Sequence, residues 1–389
     1  MQDKPRVSLI EMVSFFTQAD EAICMGLGGG EGGFPSPRRP RIIASDGRRG
    51  VPLPQVQAAI RDLRQAHRHL LRLVDSLSPE DWYRYVPYGE WTVKDLVAHL
   101  VGDMSPGGAG LILAGILTPE FIAGTAESLD RRAMNARLVA ERARLTPADL
   151  RQLLYHSHDR FIAAARRIGK RHLHYLEMPV PMGPGYTLKV EDWLWAGYHD
   201  RQHADDIRRA LEQDWRPEPL TFLPEIEAKF RLLWRYREGF LRAVYSLADD
   251  AWDEPCPETP GWTYRDLLAH VASNDLRAHL RLRVVLGEES PAALDALRDV
   301  DAWNQEQVEA RRGRSVRELV DELAWNRYQT LRLLSRLGRE HLTAEVTLAD
   351  GRRVPLLEYI ELLAAHEASH GGQMVPASRA RRWQKQPVS

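Results

Sequence analysis

Cysteine is almost absent from this chain: Cys24 and Cys256 are the only two in 389 residues. That excludes a disulfide framework and a thiolate metal cluster, both of which need more sulfurs at short spacing. Net charge is absent too, since 53 basic and 54 acidic side chains leave −1. No global field draws the chain to nucleic acid or to an anionic membrane, and neither is expected as a partner. No apolar run approaches the roughly 18 residues that span a bilayer. Near the N-terminus, Ser8-Leu9-Ile10-Glu11-Met12 puts a carboxylate where a secretory leader needs its apolar centre. The expectation is therefore a cytoplasmic protein. What the chain does have is 44% apolar residues, enough for real cores. Its length leaves room for about two or three domains.

One five-residue pattern occurs twice among the 14 histidines. It is His199-Asp200-Arg201-Gln202-His203, and again His366-Glu367-Ala368-Ser369-His370. Histidines four apart on a helix share one face, with Cβ atoms about 5–6 Å apart. That geometry suits two imidazoles on one metal ion. Each pair follows an earlier histidine in a shared context. Trp91-Thr92-Val93-Lys94-Asp95-Leu96-Val97-Ala98-His99 matches Trp262-Thr263-Tyr264-Arg265-Asp266-Leu267-Leu268-Ala269-His270 almost position for position. Thr92 with Asp95 reads as a capping box, which starts a helix at Thr92 and places His99 two turns inside it.

The rest of the chain repeats around these anchors. Residues 54–77 predict a long amphipathic helix, with Val56, Ile60, Leu63, Leu70 and Val74 on one stripe and His67 lying on it. Ser78-Pro79-Glu80-Asp81 predicts a short second helix. Thr146-Pro147-Ala148-Asp149 caps a helix to about Ile168, and the helix from about Lys189 to Leu211 carries the first pair. In the second half, residues 224–246 form the matching first helix, and Trp252 matches Trp82. Helices are expected at about 290–311 and, capped by Ser315 with Glu318, to Leu337. Asp350-Gly351 predicts a hairpin-like turn. Residues 356–370 form the last helix, closed by Gly371-Gly372. The chain thus divides into an N-terminal extension (1–53), a first unit (54–211), a linker (212–223), a second unit (224–375) and a basic tail (376–389). Within the extension, residues 8–23 could form a short helix, and the breaker-rich run from Gly26 to Pro40 reads as a connector. The units are a tandem duplication of about 160 residues, each with four principal helices. The fold class is all-α: two tandem up-and-down four-helix bundles, with sites built in the core from inward side chains.

If the helices of each unit are neighbours, His99, His199 and His203 converge in the first, and His270, His366 and His370 in the second. Three neutral nitrogen ligands leave a divalent ion one or more open positions, the pattern of a catalytic rather than a closed structural site. An open position can hold water, whose pKa falls, or a thiolate or a carbonyl. The other histidines (His67, His69, His156, His158, His172, His174, His279 and His341) read as surface or hydrogen-bonded core. Tyr198, Asp200 and Glu367 flank ligands, but surface is expected for the two acids. Trp91 and Trp262 read as core packing. Glu191 and Glu358 read as helix-start acids.

Trp-Thr-x-[Lys/Arg]-Asp-Leu-x-Ala-His followed by His-x-x-x-His resembles the DinB/YfiT-like metalloenzyme superfamily. His366-Glu367-Ala368-Ser369-His370-Gly371-Gly372-Gln373-Met374 is especially similar to the closing motif of that family. The resemblance implies a four-helix bundle with a divalent metal of zinc, nickel or iron type on the three histidines. It also implies relatives that use low-molecular-weight thiols, such as mycothiol-dependent maleylpyruvate isomerases and bacillithiol transferases, alongside hydrolases. Family members often carry an acid one turn after the first histidine. Asp103 stands there in the first unit as a candidate base, which favours that unit for chemistry. Asn274 takes the place in the second, with Asp275 one residue off the face. The first unit departs after its pair, with Ala204-Asp205-Asp206 in place of the Gly-Gly-Gln ending. The expected function is a metal-dependent enzyme acting on an electrophilic small molecule, by hydrolysis or by thiol-dependent transfer or isomerisation. The alternative is a metal-containing binding, sequestration or scaffold protein without turnover. The duplication further predicts that the two bundles pack as an internal pseudo-dimer and leaves a further homo-oligomer open.

Overall fold

A computed structural model describes residues 52–101, 131–170, 177–179, 187–189 and 194–374. The expected helix at 8–23, the glycine-rich run, Asp103, Glu191, His172, His174 and the basic tail lie outside the described residues.

In the first repeat, α1 spans Pro54–Asp75, α2 Val93–Leu100, α3 Arg131–Glu141, α4 Pro147–His156, α5 Asp159–Ala165 and α6 Gly197–Glu212. The second repeat holds α7 (Pro224–Ser246), α8 (Tyr264–Val285), α9 (Val300–Arg311), α10 (Val316–Ser335) and α11 (Leu356–Gln373). The repeats match in detail. α1 and α7 both open on a proline, whose missing N–H costs nothing at a helix start. Thr92, Thr146, Thr263 and Ser315 each cap a helix and share a capping box with the acid three residues on. A short antiparallel hairpin precedes the last helix of each repeat, β1 (Glu177–Pro179) with β2 (Thr187–Lys189), and β3 (Glu345–Thr347) with β4 (Arg353–Pro355). The second hairpin turns at Gly351, whose φ of +82° is the left-handed conformation that glycine takes without strain. Trp82 and Trp252 are both buried under their first helices.

α6 packs along α1, and α11 along α7, so the first and last helices of each repeat are partners. α10 lies along α8 and α4 against α2. This is the helical-bundle arrangement the duplication predicts. Leu70, Val74, Val93, Leu96, Val97, Leu150, Leu154 and Ile207 fill the first core. The second repeat has two apolar blocks. Phe240, Leu268, Val271 and Leu323 belong to one, Leu233, Ala278, Leu334 and Ile360 to the other. On each of four helices a charged residue lies between them: Arg237, Asp275, Arg327 and Glu367.

Four boundaries differ from the sequence reading. The helix after Thr146 breaks at Ser157-His158. Ser157 Oγ donates to the Leu154 carbonyl at 2.8 Å, a back-bond that competes with the helix ladder. The last helix of the first repeat begins at Gly197, not near Lys189, where α6 comes closest to α1. A Cβ there would fall 2.6 Å from Asp62 Oδ2 and 3.3 Å from the Leu63 Cα. Residues 290–311 divide into a 3-10 segment, Pro291–Leu297, and α9, which Asp299 caps through the Ala302 N–H. α11 runs through Gly371-Gly372 to Gln373, because packing outweighs the helix cost of two glycines, about 1 kcal/mol each.

The repeats touch through α6 and α7. Arg209 of α6 is buried and bonds both Asp206, at 2.8 Å, and Asp321 of α10. Arg201 Nε donates to the Tyr245 carbonyl at 2.7 Å. Tyr88, Trp215, Trp325 and Tyr328 form a ring cluster with centroids 4.9–6.1 Å apart.

Candidate metal centres

α2 and α6 supply the first centre, α8 and α11 the second. The four-residue spacing stacks His199 on His203 and His366 on His370, and the capped starts of α2 and α8 set His99 and His270 opposite. His199 Nε2 lies 3.3 Å from His99 Nε2 and 3.2 Å from His203 Nε2. His366 Nε2 lies 3.1 Å from His270 Nε2 and 3.2 Å from His370 Nε2. All six predicted histidines therefore converge in two threes, each through the same ring nitrogen. Ligands about 2.0–2.1 Å from a shared tetrahedral ion would stand about 3.3 Å apart, which these spacings match.

The electrostatics fit neutral ligands. Burial, with His203 and Arg142 nearby, pushes His99 down to about 3. Burial, with His370 and Arg277, takes His270 down to about 3. His199 and His366 are driven well below the ordinary histidine value by burial and by their neighbouring imidazoles. Burial lowers His370 as well. A cation is excluded where a lone pair is required, which is what a metal ion needs.

The remaining ring nitrogens distinguish the repeats. His203 Nδ1 donates to Asp206 Oδ2 at 2.9 Å, and His370 Nδ1 to Gln373 Oε1 at 2.6 Å. The two endings that differ in sequence thus do the same job, one with a carboxylate and one with an amide. An imidazole held by a carboxylate is the more basic ligand. Nδ1 of His99, His199, His270 and His366 is buried without a partner. Trp91 and Trp262 are half-buried and lie with their rings 5.4 Å from His99 and 5.2 Å from His270. They border the centres as well as packing on the core, a role that the sequence reading missed.

The acids beside the pairs were expected at the surface. They are not: Asp200 is 0% exposed and Glu367 2%. Each is the buried hub of a network reached from two other helices. Asp200 Oδ2 accepts from His67 Nδ1 at 3.0 Å and from His158 Nε2 at 2.9 Å. Glu367 accepts from Arg237 at 2.9 and 2.5 Å and from Arg327 at 2.5 Å, and Asp275 accepts from both arginines at 3.1–3.3 Å. His67 and Arg237 stand thirteen residues after the prolines that open α1 and α7, and His158 and Arg327 twelve after the caps Thr146 and Ser315. The two networks are therefore the same positions filled differently. Burial alone would raise Asp200, but His158 and His67 outweigh it and hold the carboxyl well below its usual range. His67, His158 and Asp200 also bring three donor atoms within ligating distance. Arginines at the matching positions cannot ligate, so a counter-charge role explains both repeats. Ser157 spends its proton on Leu154 and so accepts from His158 Nδ1 at 2.7 Å. Both ring nitrogens of His158 thus face an oxygen. Asp275, off the centre as expected, belongs to this network.

A cleft of about 1050 Å³ opens between α1, α6 and the α7–α8 connection, and none of the six histidines lines it. Part of its charge is already paired, Arg201 with Asp62 at 2.9 Å and Arg208 with Asp205.

Two helical bundles, each with three imidazoles aimed at one point, define a class of duplicated bundles with candidate metal sites. Residues 63–208 match the family of the mycothiol maleylpyruvate isomerase N-terminal domain, and residues 233–374 match the DinB superfamily. The chain belongs to the DinB-like superfamily, with two copies in tandem. No curated protein and no solved structure gives a significant match. No described helix is long and apolar enough to cross a membrane.

Proposed function

We propose that the protein is a metal-dependent enzyme with one divalent ion of zinc, nickel or iron type in each repeat. His99, His199 and His203 hold the first ion, and His270, His366 and His370 the second. The observation that carries this reading is the convergence of three ring nitrogens in both repeats, with His199 Nε2 and His366 Nε2 each 3.1–3.3 Å from both of their partners. When bound, such an ion supplies an open Lewis-acid position that acidifies water or a low-molecular-weight thiol for attack on an electrophilic small molecule. The chain's own residues position and insulate. Asp206 and Gln373 fix the rings of His203 and His370, while burial keeps His99 and His270 unprotonated. Asp103 is the proton acceptor that the sequence assigns to the first repeat. The match of the first repeat to a mycothiol-isomerase domain favours thiol-dependent transfer or isomerisation over hydrolysis.

Elemental analysis of the purified protein tests the reading, alongside the double substitutions His199→Ala/His203→Ala and His366→Ala/His370→Ala. The expected result is two ions per chain, each double substitution removing one. A metal-free protein from metal-replete preparation would overturn it. With two ions present, a thiol that fails to shift the spectrum of the cobalt-loaded protein would favour hydrolysis.

A further inference from the structure

Among the described residues near the centres, Arg277 stands out as an arginine whose guanidinium has no hydrogen-bond or ion-pair partner shown. It lies on α8, seven residues after His270, and two helical turns return it to within about 20° of the same face. Its guanidinium carbon sits 5.3 Å from the centre of the Trp303 ring on α9. Its Nε is buried with no hydrogen-bond partner. No carboxylate pairs with it among the described residues. The buried arginines of the second repeat are all engaged, Arg242 against the Tyr198 ring. Arg237 and Arg327 hold Asp275 and Glu367, Arg311 holds Glu322, and Arg281 donates to the Thr347 carbonyl at 3.0 Å. The charge of Arg277 is felt at the centre, where it helps to lower His270 and His366. A half-buried cation without an anionic partner is costly, and the Trp303 ring offsets only part of that cost.

We infer that Arg277 is the anion-binding residue of the second centre, and that the substrate taken there carries a carboxylate or an equivalent anionic group. The aromatic face of Trp303 keeps the guanidinium planar and in place, and its free N–H groups form a fork that matches carboxylate geometry. A substrate held there by its anionic end presents its other end to the open position beside His270, His366 and His370. The first repeat has Pro106 where the second has Arg277, so the two centres differ in the substrate they select.

This inference rests on the metal reading above, and its test separates the two. The full-length protein is loaded with cobalt(II) and titrated with succinate and with its neutral counterpart succinamide, following the visible cobalt spectrum. Wild type is expected to prefer succinate by about tenfold or more, as a charge-assisted pair predicts. Arg277→Met should take up the same cobalt, show the same ligand-free spectrum and lose the preference, and Arg277→Lys should recover part of it. A wild type without the preference, or an Arg277→Met variant that keeps it, overturns the assignment and leaves the metal reading intact. So does a variant that weakens both probes equally, because that is the mark of a structural role. Failure of wild type to take up cobalt overturns both readings.

Discussion

Glu367→Gln and Asp200→Asn are the same experiment in two repeats, and the structure predicts unequal results. Each change keeps the side-chain volume nearly constant and removes one buried negative charge. Glu367 accepts three bonds from two guanidinium groups, at 2.5, 2.5 and 2.9 Å. Without it, Arg237 and Arg327 share Asp275 alone, and an arginine cannot shed its charge. Removing one partner of a buried ion pair costs about 3–5 kcal/mol. For a unit of this size 1 kcal/mol moves Tm by about 2–4 °C, so Glu367→Gln should melt about 6–20 °C lower. Asp200 accepts only two bonds, from His67 and His158, at 3.0 and 2.9 Å. Imidazole, unlike guanidinium, is not a permanent cation, so the cost falls to that of unsatisfied buried polar groups, about 1–3 kcal/mol. Thermal unfolding of the metal-free full chain, monitored by calorimetry, measures both. Adding Arg237→Gln to Glu367→Gln should cost less than the sum of the two changes, because the pair shares its energy. Equal losses from the two acids, or a larger loss at Asp200, would refute the charge-balance argument.

Two further outcomes follow from the centres themselves. Asp206→Ala and Gln373→Ala should each weaken metal binding at their own repeat by about 10–100-fold. The larger loss is expected at Asp206, where a carboxylate holds the ligand, and competition with a chromophoric chelator reads it. Stability of the metal-free protein should fall as pH drops below about 6.5. His99 and His270 are held down at about 3 when folded, so between these values the unfolded chain binds more protons and gains on the native state. Each such imidazole contributes a slope of about 1.4 kcal/mol per pH unit in that window, and none above it. Denaturant midpoints of the metal-free protein at pH 7.5, 6 and 5 check the sign.

Much of this molecule was legible because duplication prints the same restraint twice. The Trp-Thr-x-x-Asp start fixed the ends of α2 and α8, since a capping box is a local device with a local signature. The His-x-x-x-His pairs set two imidazoles of each cluster on one helix face for the same reason. What the sequence hid depends on contacts across helices. Asp200 and Glu367 look like ordinary polar helix positions. Only the approach of α1, α7, α10 and the Ser157-His158 break shows that they are hubs. Lining up the two repeats would have disclosed it: His67 against Arg237, His158 against Arg327 and Asp200 against Glu367 are basic, basic and acidic in both. That is an electrostatic pattern that survives a change of residue type. Asp206 and Gln373 were hidden in the same way, because acid and amide look like divergence until both are seen to accept from a ligand's Nδ1.

The substitutions between repeats share one direction. The first repeat balances its buried acid with histidines and holds a ligand with a carboxylate. The second uses arginines that cannot titrate and an amide that carries no charge, and it adds a free guanidinium at its centre. A core with fixed charges keeps its geometry whether or not protons move nearby. Asp200 is bonded to His67 and His158 and is the next residue after His199, so a change of charge at the first centre is felt by the network that anchors α6. In the second repeat the same position is clamped by two guanidinium groups and a second acid. The duplication has therefore set one centre beside an acid bonded by imidazoles and the other beside an acid clamped by guanidinium groups, each acid following the first histidine of its pair. Arg277 places the charged substrate at the second, where an arriving anion meets arginines whose charges stay fixed.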